Sequence, residues 1–267
     1  MVRLTVEQHR SELRIMTSPN DLARLLAGSG PILLDFDGPV CKVFAGYPPT
    51  EVADELRTLL HDKGTDLPEA VRRESDPLEI LRWAGGLDLP EMTRAVEDAL
   101  RAAELRAVRS AAPTPYARET IVAARQAGKP VAIVSNNSDA AINEYLTLHR
   151  LARHVGPVVG RPYAEPHRMK PNPEPIWHAM RLLNTNPRSA VLVGDSLSDI
   201  AAARAIEMPV IAYANKPHKV APFLEADPDA VVTSMIDIAR ALIPPASIDE
   251  VGSPFDNPAG RADAELI

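Results

Sequence analysis

The sequence predicts an α/β fold in which a parallel sheet carries helices on both faces and a small helical unit is inserted. Short apolar runs bounded by turn residues are typical of strands buried on both faces of a parallel sheet. Segments of helical period alternate with these runs, which favours strand-helix-strand units. The alternation breaks once, in a long stretch with helical segments and no convincing strand, and this indicates an insertion.

Six apolar runs predict the strands, and the third along the chain is the weakest. The runs lie at residues 31–36, 130–135, 190–194, 209–213 and 230–233, with the weaker candidate at 155–159. The helices predicted between them lie at 114–127, 139–148, 173–183, 196–206 and 234–242. The insertion is predicted to hold helices at 50–61, 68–73, 77–84 and 90–110, divided by glycines and prolines.

The pattern divides the chain into unequal parts. Residues 18–47 and 113–243 are expected to form the α/β core domain, and residues 48–112 a helical domain. Residues 1–17 and 244–267 have mixed charge or many prolines with little periodicity, so we expect both tails to be mobile.

Composition narrows the classes of function. The chain has 267 residues and a net charge of −7, so it has no general attraction for nucleic acids or anionic membranes, and neither is expected as a partner. No apolar run is long enough to span a bilayer, and charged residues interrupt the stretch where a secretory signal would lie. The single cysteine, Cys41, excludes an intrachain disulfide, and a cytoplasmic location is expected.

Polar groups follow three of the predicted strands. Asp35 and Asp37 share one face of an extended segment, and Gly38 follows them. Ser135 and Asn136 follow the second predicted strand, while Asp195 and Asp199 follow a later one. Because the carboxyl ends of parallel strands open into the ligand crevice, these groups are expected to converge there.

Local structure offers a competing explanation for each group. A D-x-D-G segment can simply begin a loop, the serines and asparagines before Asp139 can cap a helix, and Ser196 with Asp199 fits a capping box. The convergence of three strand ends nevertheless favours a site. Lys170, held between Met169 and Pro171, is a candidate counter-charge for clustered acids, although most lysines are merely solvated.

At this point the sequence resembles the phosphatase branch of the haloacid dehalogenase (HAD) superfamily, including phosphoglycolate phosphatases and β-phosphoglucomutase-like proteins. The segment 35–40 is similar to the first motif of that family, Ser135 and Asn136 to the second, Lys170 to the third, and the segment 194–199 to the fourth. Pro39 departs from the threonine or valine that usually follows the first glycine. The resemblance implies a Rossmann-like core with a helical cap after the first strand.

The resemblance also implies roles for individual residues. Asp35 would be the nucleophile that forms an aspartyl-phosphate, and Asp37 the general acid and base. Ser135, Asn136 and Lys170 would hold the phosphoryl group. Mg²⁺ is the expected cofactor, since only hard oxygen ligands are available. Its implied ligands are the side chains of Asp35 and Asp195 and the backbone carbonyl of Asp37, with Asp199 acting from behind them.

The function implied is hydrolysis of a phosphomonoester of a small metabolite, of the phosphoglycolate or sugar phosphate class. A second aspartate argues against displacement of halide, which needs no proton. A β-phosphoglucomutase-like sugar mutase and a non-catalytic phosphoryl-binding regulator stay open as alternatives. Candidate substrate contacts near or within the insertion, which can equally be solvated surface groups, are Lys42, Arg57, Arg82 and Trp83.

Overall fold

A six-stranded parallel sheet forms the centre of the fold. The computed structural model describes residues 17–243, and the two predicted tails lie outside these residues except for Thr17, whose hydroxyl accepts a hydrogen bond from the Val231 amide. The strand order is β5-β4-β1-β6-β7-β8. The strands are β1 Ile32–Leu34, β4 Val131–Val134, β5 Val158–Val159, β6 Val191–Gly194, β7 Val210–Tyr213 and β8 Ala230–Val232. All six predicted strands are therefore present.

The register of the three middle strands levels their carboxyl ends. Leu34 of β1 pairs with Ile133 of β4 on one side and with Val193 of β6 on the other. Residues that follow these pairs therefore leave the sheet at the same edge. The functional groups predicted after the first three of the strong apolar runs depend on this alignment of β1, β4 and β6.

Helices cover both faces of the sheet, because alternate strand residues point to opposite sides. Ile32 and Leu34 pack into the core of one face, and Leu33 into the core of the other. The helices of the first face are α1 Pro19–Gly28, α6 Ala117–Gln126, α7 Asp139–Leu148 and α11 Met235–Leu242. Those of the second face are α8 Glu174–Leu183, α9 Leu197–Arg204 and α10 Val220–Glu225.

The insertion has its own apolar core. Its helices are α2 Pro49–Asp62, α3 Glu69–Arg73, α4 Pro77–Gly85 and α5 Pro90–Ala107, close to the predicted segments. Val52, Leu56, Ile80 and Leu100 are fully buried against one another. The predicted last helix ends earlier than expected, because the chain tightens into a 3₁₀ turn at Val108–Ser110.

Three elements, two near the insertion and one near the start of the described residues, were not predicted. The strands β2 Cys41–Lys42 and β3 Ala112–Pro113 pair antiparallel and join the two connections between insertion and core. Two-residue strands are too short to give a periodic signal. Helix α1 does have a recognisable sequence signal. The Ser18 side chain caps it, and Leu22 and Leu26 lie one turn apart on its buried face.

No helix within residues 17–243 combines the length and apolar character needed to cross a lipid bilayer.

A matched pair of leucine truncations tests the placement of the core. Leu192 in β6 is fully buried, whereas Leu182 in α8 is 56% exposed. We expect Leu192→Ala to lower the free energy of unfolding by about 2–5 kcal/mol, because it leaves a cavity in the sheet. Leu182→Ala is expected to change it by less than about 0.5 kcal/mol, and equal losses in urea titrations would contradict this packing.

Candidate active site

The end of the sheet brings the predicted polar groups together. The Asp35 amide donates to the Val193 carbonyl at 2.9 Å, and the Ser135 amide donates to the Val159 carbonyl at 3.0 Å, so both residues continue the ladder by one step. Carboxylate oxygens of Asp35, Asp195 and Asp199 lie within 4.8 Å of one another. These groups therefore lie together at one edge of the sheet in the structure, as the sequence predicts.

The ammonium group of Lys170 lies at the centre of these acids. It is 3.1 Å from an Asp35 oxygen and 2.5 Å from an Asp199 oxygen, and it donates to the Val134 carbonyl at 2.9 Å. Burial opposes the charge on Lys170, but Asp199 and Asp35 outweigh it and raise its pKa to about 12. All three N–H groups are engaged within the protein, so Lys170 must exchange one contact before it can donate to a phosphoryl oxygen.

Asp35 and Asp37 have different surroundings although only one residue separates them. Burial raises the pKa of Asp35 to about 7, and Lys170 acts in the opposite direction, as does a hydrogen bond from the Ser135 hydroxyl. Burial raises the pKa of Asp37 to about 6, against a 2.9 Å hydrogen bond from the Val43 amide. Asp35 therefore has a cation in direct contact, while Asp37 has a backbone donor, and Lys219 and Lys216 lower its pKa without forming an ion pair with it.

Gly38 lets the chain turn tightly beside Asp195. Its φ is +107°, and a Cβ placed on it would lie 2.3 Å from the Asp195 carboxyl carbon. The Gly38 amide donates to the Cys41 carbonyl, and the Gly38 carbonyl accepts from the Thr114 hydroxyl. Pro39 is accommodated inside this closed turn, so the departure from the family pattern leaves the acids in place.

Asp195 has two polar partners that sequence reasoning missed. The Lys219 ammonium contacts an Asp195 oxygen at 2.5 Å, and the Asn215 amide donates to the same oxygen at 2.8 Å. Burial raises the pKa of Asp195, and Lys219 works against that rise. Both partners lie in the loop after β7. The rule that selected Lys170, a cation beyond the carboxyl end of a strand, could have selected Lys219 as well.

The loop after β4 resolves the capping alternative there. Ser138, not Ser135 or Asn136, caps α7 by accepting from the Ala141 amide. The Asn136 side chain instead forms two hydrogen bonds with the Lys170 backbone, at 2.9 and 3.1 Å. Ser135 is free of helix capping. Asn136 fixes the position of Lys170 in the protein as it stands.

Both explanations of Asp199 hold at once. One carboxylate oxygen accepts from the Ser196 amide at 3.1 Å and from the Ser196 hydroxyl at 2.6 Å, which completes a capping box at the start of α9. The other oxygen contacts Lys170. Both oxygens are thus engaged, and Asp199 acts on the site through the cation that it holds.

A cavity of about 640 Å³ opens beside these residues, between the sheet edge and the insertion. Arg82, which was among the predicted substrate contacts, lines it and donates to the Lys170 carbonyl at 2.9 Å. The cavity is also lined by Leu78, Glu79 and Leu100 from the insertion and by Glu104, which sequence reasoning missed.

Three predicted substrate contacts do not line this cavity, and those expectations need correction. The Arg57 guanidinium binds the Glu74 carbonyl and the Asp54 carboxylate on another surface of the insertion. Lys42 is exposed on strand β2, and Trp83 packs against the apolar core of the insertion. Arg57 and Trp83 are explained by contacts within the insertion, and Lys42 by exposure to solvent.

The residues at this edge suit a divalent cation. If Asp35, Asp37, Asp195 and Asp199 are all ionised, Lys170 and Lys219 compensate two of the four negative charges. The remaining charge, the oxygen-only donors and the close approach that Gly38 permits fit Mg²⁺. Asp35 and Asp195 offer side-chain oxygens, whereas both oxygens of Asp199 already have partners.

The fold and this edge together define an α/β protein with a cluster of acids and a buried lysine at the carboxyl edge of its sheet, an aspartate at the end of the first strand and a helical insertion after it. The sequence model of the haloacid dehalogenase-like hydrolase family matches residues 50–213, more than half of the chain. The chain belongs to this family. The match begins at residue 50 and so does not include Asp35 and Asp37. The position of these two acids in the structure is therefore a separate observation from the family match.

Curated relatives resemble part of the chain. A plasmid-encoded phosphoglycolate phosphatase of Cupriavidus necator is 39% identical over 97 residues, which cover 36% of this chain and 41% of that protein. A phosphoglycolate phosphatase of Nitrosospira multiformis is 30% identical over 128 residues, covering 48% of this chain and 56% of the relative. The matches span about half of these relatives or less.

Solved structures share the fold over most of the chain. The structure of a predicted phosphoglycolate phosphatase from Haemophilus somnus has a TM-score of 0.57 and 18% identity, and covers 79% of this chain and 96% of that one. A hydrolase from Pseudomonas syringae has a TM-score of 0.59 and 18% identity, with coverage of 80% and 98%. At such identities the likeness shows the fold alone.

Metal-free protein should lose stability as Asp35 ionises. Because folding raises the pKa of Asp35 from 3.8 to about 7, the associated stability is complete below pH 3.8 and lost as the pH rises through 7. We expect metal-free Asp35→Asn to melt at a higher temperature than wild type at pH 8, and the difference in melting temperature to shrink progressively as the pH is lowered from 7 towards 4. Thermal melts in EDTA measure this, with exposed Asp62→Asn as the control, and a wild type that melts above Asp35→Asn at pH 8 contradicts it.

Proposed function

We propose that this protein hydrolyses the phosphomonoester of a small metabolite through an aspartyl-phosphate on Asp35. The observation that carries the proposal is the arrangement of two carboxyl groups at the cavity floor. Asp35 lies 3.1 Å from the Lys170 ammonium, which opposes the rise of its pKa to about 7, and a divalent cation bound beside it would lower that pKa further, whereas Asp37 has no cation in such contact. Such a pair can divide the work between a nucleophile and a proton donor.

In the first half of the reaction, an Asp35 carboxylate oxygen bonds to phosphorus as the bond to the ester oxygen breaks. Asp37 donates its proton to the departing oxygen, so that an alcohol leaves. In the second half, the Asp37 carboxylate takes a proton from water as the water oxygen attacks the same phosphorus. The bond to Asp35 then breaks, inorganic phosphate leaves, and both aspartates return to their starting states.

Charge on the phosphoryl oxygens is balanced by groups around the cavity floor. Mg²⁺, held by the side chains of Asp35 and Asp195 and the Asp37 backbone carbonyl, would supply positive charge to the phosphoryl oxygens and keep Asp35 ionised. Lys170 adds a buried positive charge, and the Ser135 hydroxyl is a donor beside Asp35. Asn136 acts in this scheme by fixing Lys170.

We propose that residues 48–112 act as a cap over the crevice of a core formed by residues 18–47 and 113–243. The support is the cavity itself, which has the sheet edge on one side and residues of α4 and α5 on the other. Arg82 is the cation of the insertion that lines this cavity, so it is the proposed contact for the part of the substrate beyond the phosphate. The names of the relatives make phosphoglycolate the first substrate to test, with sugar phosphates next.

Hydrolysis of an aryl phosphate tests the reaction. Wild type should release phosphate with Mg²⁺ and stop in excess EDTA, and Asp35→Asn should lose activity because no aspartyl-phosphate can form. Asp37→Asn should be slower by a factor of about 10²–10⁴ and release a burst of aryl alcohol, since hydrolysis of the intermediate lacks its base. Asp62→Asn is the matched control and should retain wild-type rates. Equal slow release by wild type and Asp35→Asn would leave a non-catalytic phosphoryl-binding protein as the better explanation.

Product analysis with hexose phosphates separates the phosphatase from a mutase. Because nothing in the proposed chemistry returns the phosphoryl group to a sugar, free phosphate should accumulate and the sugar phosphate should not be isomerised. The measurement is phosphate release against the isomer ratio by ³¹P NMR. Isomerisation faster than phosphate release would overturn the hydrolase assignment in favour of a mutase.

A further inference from the structure

A fully buried cluster of charged groups joins the insertion to the core away from the catalytic acids. Arg161, in the loop after β5, is 3% exposed, and it lies between Glu97 and Glu104 of α5, which are 0% and 1% exposed. The guanidinium contacts Glu97 at 2.9 Å and Glu104 at 2.8 Å. The two glutamates outweigh the effect of burial and raise the pKa of Arg161 further above its usual range, so the cation is permanent.

The two glutamates differ in what else they touch. Within the described part of the chain, the hydrogen bonds accepted by Glu97 come from Arg161. Glu104 in addition accepts from the Asn137 side-chain amide at 3.2 Å and from the Ser138 backbone amide at 3.0 Å. Glu104 therefore reaches the loop after β4, whereas Glu97 does not. Substituting each glutamate in turn therefore separates the effect of the charged cluster from the effect of the loop contacts.

From Asn137 the contacts continue to the cavity floor. The Ser135 hydroxyl lies 3.3 Å from the side-chain oxygen of Asn137. It also accepts a hydrogen bond from the backbone amide of Asn137 at 3.2 Å. Arg161 binds the same loop through two further hydrogen bonds. Its guanidinium donates to the Asn136 carbonyl, and its backbone amide donates to the Asn137 carbonyl. The loop that presents Ser135 is thus tied to α5 through two side-chain steps.

We propose that Glu104 is a positioning residue for the phosphoryl-binding loop: clamped by Arg161, its carboxylate holds Asn137 and Ser138 and thereby sets the Ser135 hydroxyl beside Asp35. The inference rests on the proposed function, since it assigns Ser135 to the phosphoryl group. It extends that function by making a residue of the insertion act on the part of the substrate that all phosphomonoesters share.

The contacts of Glu104 require a carboxylate. One oxygen accepts from Arg161 and Asn137, and the other accepts from Ser138 and Arg161. Every neighbour is a donor, so a glutamine of the same shape would place its own NH₂ group against at least two donors. Glu97→Gln makes the same chemical change at equal burial on the same helix, but leaves the loop contacts intact.

The experiment compares Glu104→Gln with Glu97→Gln in the full chain. For Glu104→Gln we expect kcat/KM to fall about tenfold or more, by the same factor for an aryl phosphate and for phosphoglycolate, because the displaced group contacts the phosphate and not the rest of the substrate. Inhibition by orthovanadate should weaken in parallel. Glu97→Gln should lose stability in urea to a similar extent and keep wild-type kcat and KM per folded molecule.

Asn137→Ala provides the second arm, because it cuts the link to Ser135 and leaves the charged cluster in place. It should reproduce the kinetic loss of Glu104→Gln, and the double variant should be no slower than the slower single one. If Glu104→Gln does not fold, Asn137→Ala decides alone: wild-type kinetics for it would overturn the proposal.

Equal kinetic loss in Glu104→Gln and Glu97→Gln would also overturn the proposal, since the cluster would then matter only for folding. A wild type that hydrolyses no phosphomonoester is a different result, because it removes the proposed function. In that case orthovanadate binding, measured by calorimetry for wild type and Asn137→Ala, tests the positioning by itself. Unchanged affinity in the variant refutes it.

Discussion

The buried contact of Lys170 with Asp35 and Asp199 is the constraint on which the site depends. Two carboxylates removed from water destabilise the fold unless a cation compensates them, and removing one partner of such a group costs about 3–5 kcal/mol. The cation is held in turn by Asn136 and Arg82, which bind the Lys170 backbone. Sheet edge, capping box and insertion therefore all meet at one lysine, the first two at its ammonium group and the insertion at its backbone carbonyl.

The insertion is held to the core by a second buried charge arrangement, and this limits how it can move. Moving α5 as a rigid body away from the core would separate Arg161 from Glu97 and Glu104 and leave three charged groups without partners. The Arg101 contact with Asp139 at 2.6 Å lies on the same side. A cap that opens and closes over the crevice would have to do so while α5 keeps these contacts, with the motion in the helices before it.

Much of the fold and part of the site could be predicted because their signals are local. Apolar β-branched runs predicted the strands, and polar residues directly after them marked Asp35, Ser135 and Asp195. The local alternatives were partly right as well, since Asp199 completes a capping box with Ser196 and also binds Lys170. The local sequence pattern could not show whether Asp199 caps a helix or belongs to the site, because Asp199 does both. One of its carboxylate oxygens binds Ser196 and the other binds Lys170.

The sequence by itself determined the order of strands and helices, the place of the insertion and the edge where the acids collect, because periodicity and chain direction carry that information. Beyond Lys170, which the sequence marked as a candidate counter-charge, only the tertiary structure decided which cations contact which acids. Lys219 lies in a different loop from its partner Asp195. Arg161 pairs with Glu97 and Glu104, which are more than 50 residues away in the sequence, too far for a periodic pattern to indicate the contact. Charge pairing acts through space, so its partners become visible only when the sheet and the insertion have packed.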